Sequence, residues 1–255
     1  MRLSAYVIPP REQAIAETQF ILLDMGNTLI EYMIARDVPA LLAEGIGRVR
    51  EYLRVAGKLR LDPEAIAERT ACENAPRAAG NHAVRPLADR LVRIFDLDDV
   101  LTDPDELDRL CRQFMQPVFA RGRIYDDTLP ALKALSARGL TLAIVSNTPW
   151  GSPGYLWREE LARMGVSEWF DVEVFCTDVG WRKPAREIYD YTLAKLGAKP
   201  DECLFVGDDD RWDVIGPREV GIDSLLLVRD TPDEHVRPDA IRRLTDIEDY
   251  LFLRD

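Results

Sequence analysis

The sequence predicts a doubly wound, parallel α/β sheet interrupted by an inserted α-helical segment. Three observations point there. Short apolar runs recur along the chain and end in polar residues, as strands buried on both faces of a parallel sheet do. Helical patterns separate those runs, and alternating strand and helix implies a layered α/β architecture. One long Ala-, Leu-, Arg- and Glu-rich block breaks the rhythm directly after the first run.

The opening segment has no apolar stretch long enough for a signal peptide, and nothing later in the chain could span a bilayer. Its residues are expected to form an arm packed on the core or a loose extension. The first run, Phe20-Ile21-Leu22-Leu23, ends at Asp24. Residues 32–120 then show helical periods over 38–55, 63–79 and 104–119. Asp62-Pro63-Glu64 and Asp103-Pro104-Asp105 read as helix starts: a capping Asp, Pro at the first helical position, and acid in the first turn. This block is read as a helical cap domain, 32–120, inserted into a core domain made of 1–31 and 121–255.

The core pattern then resumes. Residues 129–138 repeat Leu at helical spacing until Gly139 stops them. Leu142-Ala143-Ile144-Val145 precedes Ser146, and Val172-Glu173-Val174-Phe175 is a further run. A helix over 185–196 follows Pro184, a usual first-turn residue. Cys203-Leu204-Phe205-Val206 leads into Gly207-Asp208, and Ser224-Leu225-Leu226-Leu227-Val228 closes the series. Ligands of such sheets bind outside the carboxyl ends of the strands. The fold would therefore gather these polar residues at one edge.

Composition narrows the possible partners. The chain has 255 residues, 47% hydrophobic and 31% charged, which is enough for a sizeable core without staples. A formal net charge of -12 disfavours nucleic acid and anionic membranes, which need a positive footprint. An anionic substrate would have to meet a local positive spot made by a metal ion, lysine or helix N-termini. Cys72, Cys111, Cys176 and Cys203 are scattered without a C-x-x-C pair, so reduced thiols in a cytoplasmic protein are expected. His82 and His235 lie in different environments and are read as solvated, which leaves no histidine triad or zinc site.

Phosphoryl transfer needs a nucleophile, a metal to neutralise phosphate oxygens, and fixed donors around the transferring group. The strand ends supply these types. Asp24 is a candidate nucleophile, Ser146 a hydroxyl donor, the amides around Asn147 further donors, and Lys183 a mobile ammonium before Pro184. Asp208 and Asp213 carry the hard oxygens that Mg²⁺ prefers.

Four segments carry a family resemblance. Asp24-Met25-Gly26-Asn27-Thr28-Leu29 resembles the first motif of the haloacid dehalogenase superfamily, and Val145-Ser146-Asn147-Thr148 the second. Gly180-Trp181-Arg182-Lys183-Pro184 resembles the third, and Val206-Gly207-Asp208 through Asp213, then Ile215-Gly216-Pro217, the fourth. Singly each is weak; their order and strand-end placement make the resemblance specific. It implies a Rossmannoid core with a cap after the first motif, and a small phosphorylated substrate. It also implies attack by Asp24 to form an aspartyl-phosphate. Mg²⁺ would be held by the carboxylates of Asp24 and Asp208 and the main-chain carbonyl of Gly26, with Asp213 assisting and Asp209 beside them. Ser146 would hydrogen-bond a phosphoryl oxygen, and Lys183 would offset negative charge.

One position departs from that pattern. The superfamily's phosphatases usually carry a second Asp two residues after the nucleophile as general acid and base, and here Gly26 stands in its place. Three explanations compete: another group, from the cap or the substrate, protonates the leaving oxygen; the natural substrate has a good leaving group that needs little help; or the protein is a weak enzyme that mainly binds a phosphorylated ligand. A 2-haloacid dehalogenase, which uses the same aspartate on carbon without metal, is the alternative enzyme. Phe95-Asp96-Leu97-Asp98-Asp99-Val100-Leu101 holds both acids of an ordinary first motif. However, Arg93 interrupts the preceding run and residues 87–95 fit a helix, so Asp96–Asp99 is read as a polar connection within the cap. Arg36, Arg48, His82 and Arg85 are candidate pocket residues of the cap. Trp150-Gly151-Ser152-Pro153-Gly154-Tyr155 is either a pocket entrance or a packed turn.

Overall fold

A computed structural model describes residues 18–32, 37–75, 78, 80–97, 103–229 and 237–252. The expected N-terminal arm, Arg36, positions 76, 77 and 79 of the expected second cap helix, Asp98 to Leu101, and His235 lie outside the described residues.

The core begins with β1 (Phe20–Leu23) and β2 (Ile30–Glu31). Among the described residues four helices follow: α1 (Val38–Val55), α2 (Pro63–Asn74), α3 (Leu87–Phe95) and α4 (Pro104–Phe119). The chain re-enters the core through β3 (Arg123–Ile124), which pairs antiparallel with β2. Next come α5 (Thr128–Ala137), β4 (Thr141–Ser146), a 3₁₀ turn at Pro149–Gly151 and α6 (Gly154–Arg163). After these stand β5 (Val172–Phe175), the short α7 (Cys176–Val179), α8 (Arg186–Leu196) and β6 (Cys203–Gly207). A π-type turn at Asp210–Ile215, α9 (Gly216–Glu219), β7 (Asp223–Leu227), β8 (Ala240–Ile241) and α10 (Asp246–Phe252) are the last elements among the described residues.

The main sheet is parallel throughout, with strand order β5-β4-β1-β6-β7-β8. Unbroken apolar runs make these strands because both faces are covered. Leu22, Ala143, Val145, Val174 and Phe205 face Ile188, Tyr189 and Leu193 of α8. Their alternate neighbours Ile21, Leu23, Leu142, Ile144, Leu204 and Val206 face the larger cluster, which includes Leu132 and Leu135 of α5 and Ile247 and Leu251 of α10. A side-chain period of two splits each run between the two cores.

The inserted subdomain is helical, and its caps follow the sequence. Asp62 accepts from the Ala65 amide at 2.8 Å, and Asp103 from the Asp105 amide at 3.0 Å, with Pro leading both helices. Leu41, Ile46, Val49 and Leu53 of α1 are buried, as are Leu110, Phe114, Met115 and Val118 of α4, at the 3–4 residue spacing of facing helix stripes. Asp96 ends α3 in the left-handed conformation, φ 58°, and pairs with Arg69 at 3.1 Å. It belongs to a helix terminus of the cap, away from any strand end.

Some boundaries differ from expectation. Residue 185 is the N-cap of α8, so Pro184 precedes the helix and is not in its first turn. The segment after Ser152 becomes α6. The two-residue strands β2, β3 and β8 are too short to show a period in sequence.

Candidate active site

Parallel pairing of β4, β1 and β6 sets their carboxyl ends side by side. Leu23 lies in register with Ile144 on one flank and Val206 on the other. Asp24 therefore emerges between Ser146, the last residue of β4, and Asp208, the first after β6. This is where the strand order reverses, the crevice in which α/β sheets bind ligands.

Asp24 is buried, and its Oδ1 accepts two hydrogen bonds: from Ser146 Oγ at 2.9 Å and from Lys183 Nζ at 2.6 Å. Lys183 Nζ also donates to Asp213 Oδ1 at 2.6 Å. The lysine is 1% exposed, an arrangement that charge pairing must sustain. Burial alone would pull its pKa down, but the Asp213 and Asp24 carboxylates push it well above the ordinary lysine value. It is an ammonium ion at neutral pH.

Asp213 is held from both sides. Its Oδ1 takes the lysine, and its Oδ2 accepts from the Asp209 amide at 3.0 Å. Gly207 makes room for it, since a Cβ there would stand 2.4 Å from the Asp213 carboxyl carbon. Burial pushes Asp213 up to about 7, with Lys183 opposing and Asp24 adding to the rise. Loss of water, then the Asp24 and Asp213 charges, push Asp208 up to about 7 as well. The Asp208 side chain still reaches solvent at the mouth of the cluster. Ligand oxygens of Asp24, Asp208 and Asp213 all lie within 4.8 Å of one another. Three carboxylates so close are compatible with divalent-metal coordination.

The first-motif turn is shaped around this cluster. The Asn27 amide donates to the Ile30 carbonyl at 2.7 Å, and the Ile30 amide to Met25 at 3.1 Å, with Asn27 in the left-handed region at φ 58°. Asn tolerates that conformation better than most residues. These bonds leave the Gly26 carbonyl without a main-chain donor among the described residues. Thr28 Oγ1 reaches Asp208 Oδ1 at 3.5 Å.

Two residues act otherwise than their sequence context suggests. The Asn147 side chain clamps the main chain of Lys183: its Oδ1 accepts the Lys183 amide at 2.8 Å, and its Nδ2 donates to the Lys183 carbonyl at 3.2 Å. Any phosphate donor at this position is thus the main chain, since the side chain is committed to aiming the lysine. The Asp209 carboxylate caps the π-type turn by accepting from the amides of Arg211 and Trp212, both at 2.9 Å. It shapes the turn that carries Asp213.

Arg229, beyond β7, lies outside all four motifs. Its Nη1 donates to both oxygens of Asp127 at 3.0 Å, and its Nη2 to the Thr28 carbonyl at 2.6 Å. It stacks 3.8 Å from the Tyr125 ring centroid. The first-motif turn is thus tied to the β3–α5 connection. The strand-end rule that marks Asp24 and Asp208 also applies to Arg229, which directly follows the apolar run at 224–228.

The cap loop before α3 docks on the Lys183 loop. The Val84 amide donates to the Gly180 carbonyl at 2.8 Å, the Arg182 amide to the His82 carbonyl at 3.0 Å, and Ala83 pairs with Trp181 in an antiparallel bridge. Beside this seam lies a cavity of about 340 Å³ whose walls include His82, Arg85, Trp150, Gly151 and Lys183. His82 and Arg85 therefore face a pocket. Arg48 is not in the lining of this cavity, and bonds Gln113 on the exposed side of the cap at 3.2 Å. The 150–155 segment is both a wall and a packed turn: Trp150 stacks edge-on against Phe114 at 5.2 Å, and its carbonyl accepts from Arg90 at 3.1 Å.

The four cysteines are free thiols. Among the described residues, no helix is long and apolar enough to cross a membrane.

Residues 18–221 match the family model for the haloacid dehalogenase-like hydrolases. The chain is 29% identical over 140 residues to a glyceraldehyde 3-phosphate phosphatase of Methanothermobacter thermautotrophicus, covering 54% of this chain and 60% of that protein. It is 28% identical over 129 residues to a phosphoserine phosphatase of Thermus thermophilus, covering 51% of this chain and 50% of that protein. Matches to these curated relatives thus span only about half to three fifths of their length. Among solved structures, a HAD phosphatase from Thermococcus onnurineus superposes with a TM-score of 0.60 at 22% identity, over 92% of this chain and 98% of that one. A 2-haloacid dehalogenase from Pseudomonas syringae pv. Tomato superposes with a TM-score of 0.62 at 20% identity, over the same shares. These likenesses show the fold.

Proposed function

The chain belongs to the haloacid dehalogenase-like hydrolases, and from that premise we propose that it is a Mg²⁺-dependent phosphatase of a small phosphorylated metabolite, with Asp24 as nucleophile. One observation carries this reading: the charge balance at the strand ends. Asp24, Asp208 and Asp213 cluster within 4.8 Å, and among the described residues Lys183 is the cation bonded inside the cluster. With all three carboxylates ionised against one ammonium, two negative charges are left at a site where Asp213 is buried and Asp208 opens to solvent. A divalent cation balances them, and hard carboxylate oxygens suit Mg²⁺. Asp24, Asp208 and the Gly26 carbonyl would hold it, with Asp213 assisting directly or through water. Bound there, Mg²⁺ would neutralise charge on the phosphoryl oxygens.

The chain's own groups supply the rest. A carboxylate oxygen of Asp24 forms a bond to phosphorus as the ester P–O bond breaks, which gives an aspartyl-phosphate and an alcohol. Water then attacks phosphorus, releasing inorganic phosphate and restoring Asp24. Ser146 trades its bond to Asp24 for one to a phosphoryl oxygen. Lys183, aimed by Asn147 and braced by Asp213, offsets charge on both the nucleophile and the phosphoryl group. With Gly26 in place of an acid, the leaving oxygen takes its proton from the cap or the substrate, or leaves as a stable anion. The curated relatives named as phosphatases fit the same reaction class.

Hydrolysis of p-nitrophenyl phosphate, measured with EDTA and after Mg²⁺ is restored, tests the reading. The expected result is loss with EDTA and recovery with Mg²⁺. Gly26 favours a second reading, the metal-independent dehalogenase. Halide release from 2-chloropropionate that persists in EDTA, with no phosphate release under either condition, would replace the phosphatase reading with that one.

A further inference from the structure

The cavity between cap and core has a charge character opposite to that of the whole molecule. In a chain of net charge -12, its walls carry Arg85, Arg90, Arg182, Lys183 and Arg211, and no carboxylate among the described residues. Two of these cations are already committed. Lys183 is bonded to Asp24 and Asp213. Arg90 is held by the Trp150 and Glu73 carbonyls and by Asn74 Oδ1 at 2.6 Å. Arg85, Arg182 and Arg211 are different, for none of them forms an ion pair among the described residues.

The main chain that carries these three arginines is held in place, and Arg182 is held through its guanidinium as well. Arg182 is stacked over the Trp212 ring, 5.2 Å from its centroid. Arg211 sits on the turn capped by Asp209. The Arg85 main chain is pressed against Gly151, where a Cβ would stand 2.0 Å from the Arg85 carbonyl oxygen. The Ala83–Trp181 bridge then fixes Arg85 of the cap relative to Arg182 of the core. Three arginines lining one partly open cleft set a positive potential that attracts an anion, and guanidinium groups favour carboxylate and phosphate. Lys183 and Thr148 line the same cavity, so an anion held there adjoins the Asp24 cluster. A volume of about 340 Å³ suits a small metabolite.

We infer that the natural substrate carries a second anionic group, a carboxylate or another phosphate, held by Arg85 from the cap and by Arg182 and Arg211 from the core. This deepens the phosphatase reading and rests on it for the identity of the first group. An uncharged or cationic tail would forgo any ion pair with these arginines, of which, among the described residues, only Arg85 has a carboxylate, Glu73, acting on it electrostatically.

Non-hydrolysable phosphonates separate the two ideas. Calorimetric titration at fixed ionic strength, with Mg²⁺ present, would compare propylphosphonate, 3-phosphonopropanoate and propane-1,3-bisphosphonate. At least one of the doubly anionic ligands is expected to bind about tenfold or more tightly than propylphosphonate, and the tighter of the two identifies the second group. In folded Arg85→Gln and Arg211→Gln variants that advantage should shrink at least threefold. Equal affinities for all three ligands in the wild-type protein would overturn the inference. So would an advantage that survives both substitutions. Because no turnover is read, the result stands apart from p-nitrophenyl phosphate hydrolysis. Anion preference without hydrolysis keeps the cavity assignment and removes the phosphatase reading; hydrolysis without preference does the reverse.

Discussion

Asp24 and Asp96 carry the same functional group, and only their surroundings separate them. Asp24 leaves a central strand into hydrogen bonds from Ser146 and Lys183, whereas Asp96 ends a cap helix and pairs with Arg69. Asp24→Asn is expected to lower phosphatase turnover by about 10⁴-fold or more, while Asp96→Asn retains wild-type rates; steady-state assays of the two variants check this. Full activity in Asp24→Asn would overturn the nucleophile assignment. Gly26 offers the complementary test. A Cβ there would meet nothing within 4 Å, so the first side-chain atom of an aspartate enters without a clash. A general acid–base typically contributes 10²–10⁴-fold. Gly26→Asp is therefore expected to raise kcat on an alkyl phosphate by about tenfold or more. No gain there would mean that a missing acid does not limit turnover.

At the scale of elements, the site depends on short connections locked together by main-chain contacts. Gly151 is the tightest of these, at φ +71° and with the Arg85 carbonyl where its Cβ would stand. Gly151→Ala would combine left-handed strain with overpacking, a cost of about 2–4 kcal/mol. It would also push the cap loop away from Lys183. The expected outcome is a lower unfolding midpoint together with a raised KM for small phosphate esters; an unchanged midpoint and KM would show that the cap loop can shift freely. Sequence made the longer elements legible here. Strands such as β1, β4 and β6 appear as unbroken apolar runs because both faces are buried, and α1 and α4 because their buried stripes have a helical period. β2, β3 and β8 span two residues each, too few to show any period. α6 was masked by the Gly and Pro residues that start it.

Across the whole molecule, the carboxylate cluster is expected to couple stability to pH and, on the proposed reading, to Mg²⁺. Burial pushes Asp213 up to about 7 in the folded protein, against roughly 4 for an unfolded aspartate. Between those values the folded state holds a proton that the unfolded chain has released. The resulting stabilisation is complete below about pH 4 and is lost as pH rises through about 7. Mg²⁺ at the proposed site would need the ionised carboxylates, so its binding is expected to strengthen over the same interval. Thermal melts in EDTA and in Mg²⁺ at pH 5 and pH 8 would show this. Metal is expected to raise the midpoint by roughly 5–10 °C at pH 8 when present at about a hundred times its Kd, and by much less at pH 5. An equal Mg²⁺ effect at both pH values would argue against the cluster as the metal site.

Local sequence determined the alternation of strand and helix, the caps at Asp62 and Asp103, the inserted helical block, and which strand-end residues are candidates for the proposed chemistry. Those properties arise from side-chain periodicity and short-range hydrogen bonding, which act between near neighbours and can be read along a chain. Tertiary structure alone decided the partnerships. Asn147 grips a lysine 36 positions away, Arg229 ties down Thr28 from 201 positions away, and three arginines of cap and core share one cavity. Such contacts are selected by shape and charge once the sheet has closed, and no interval along the chain encodes them.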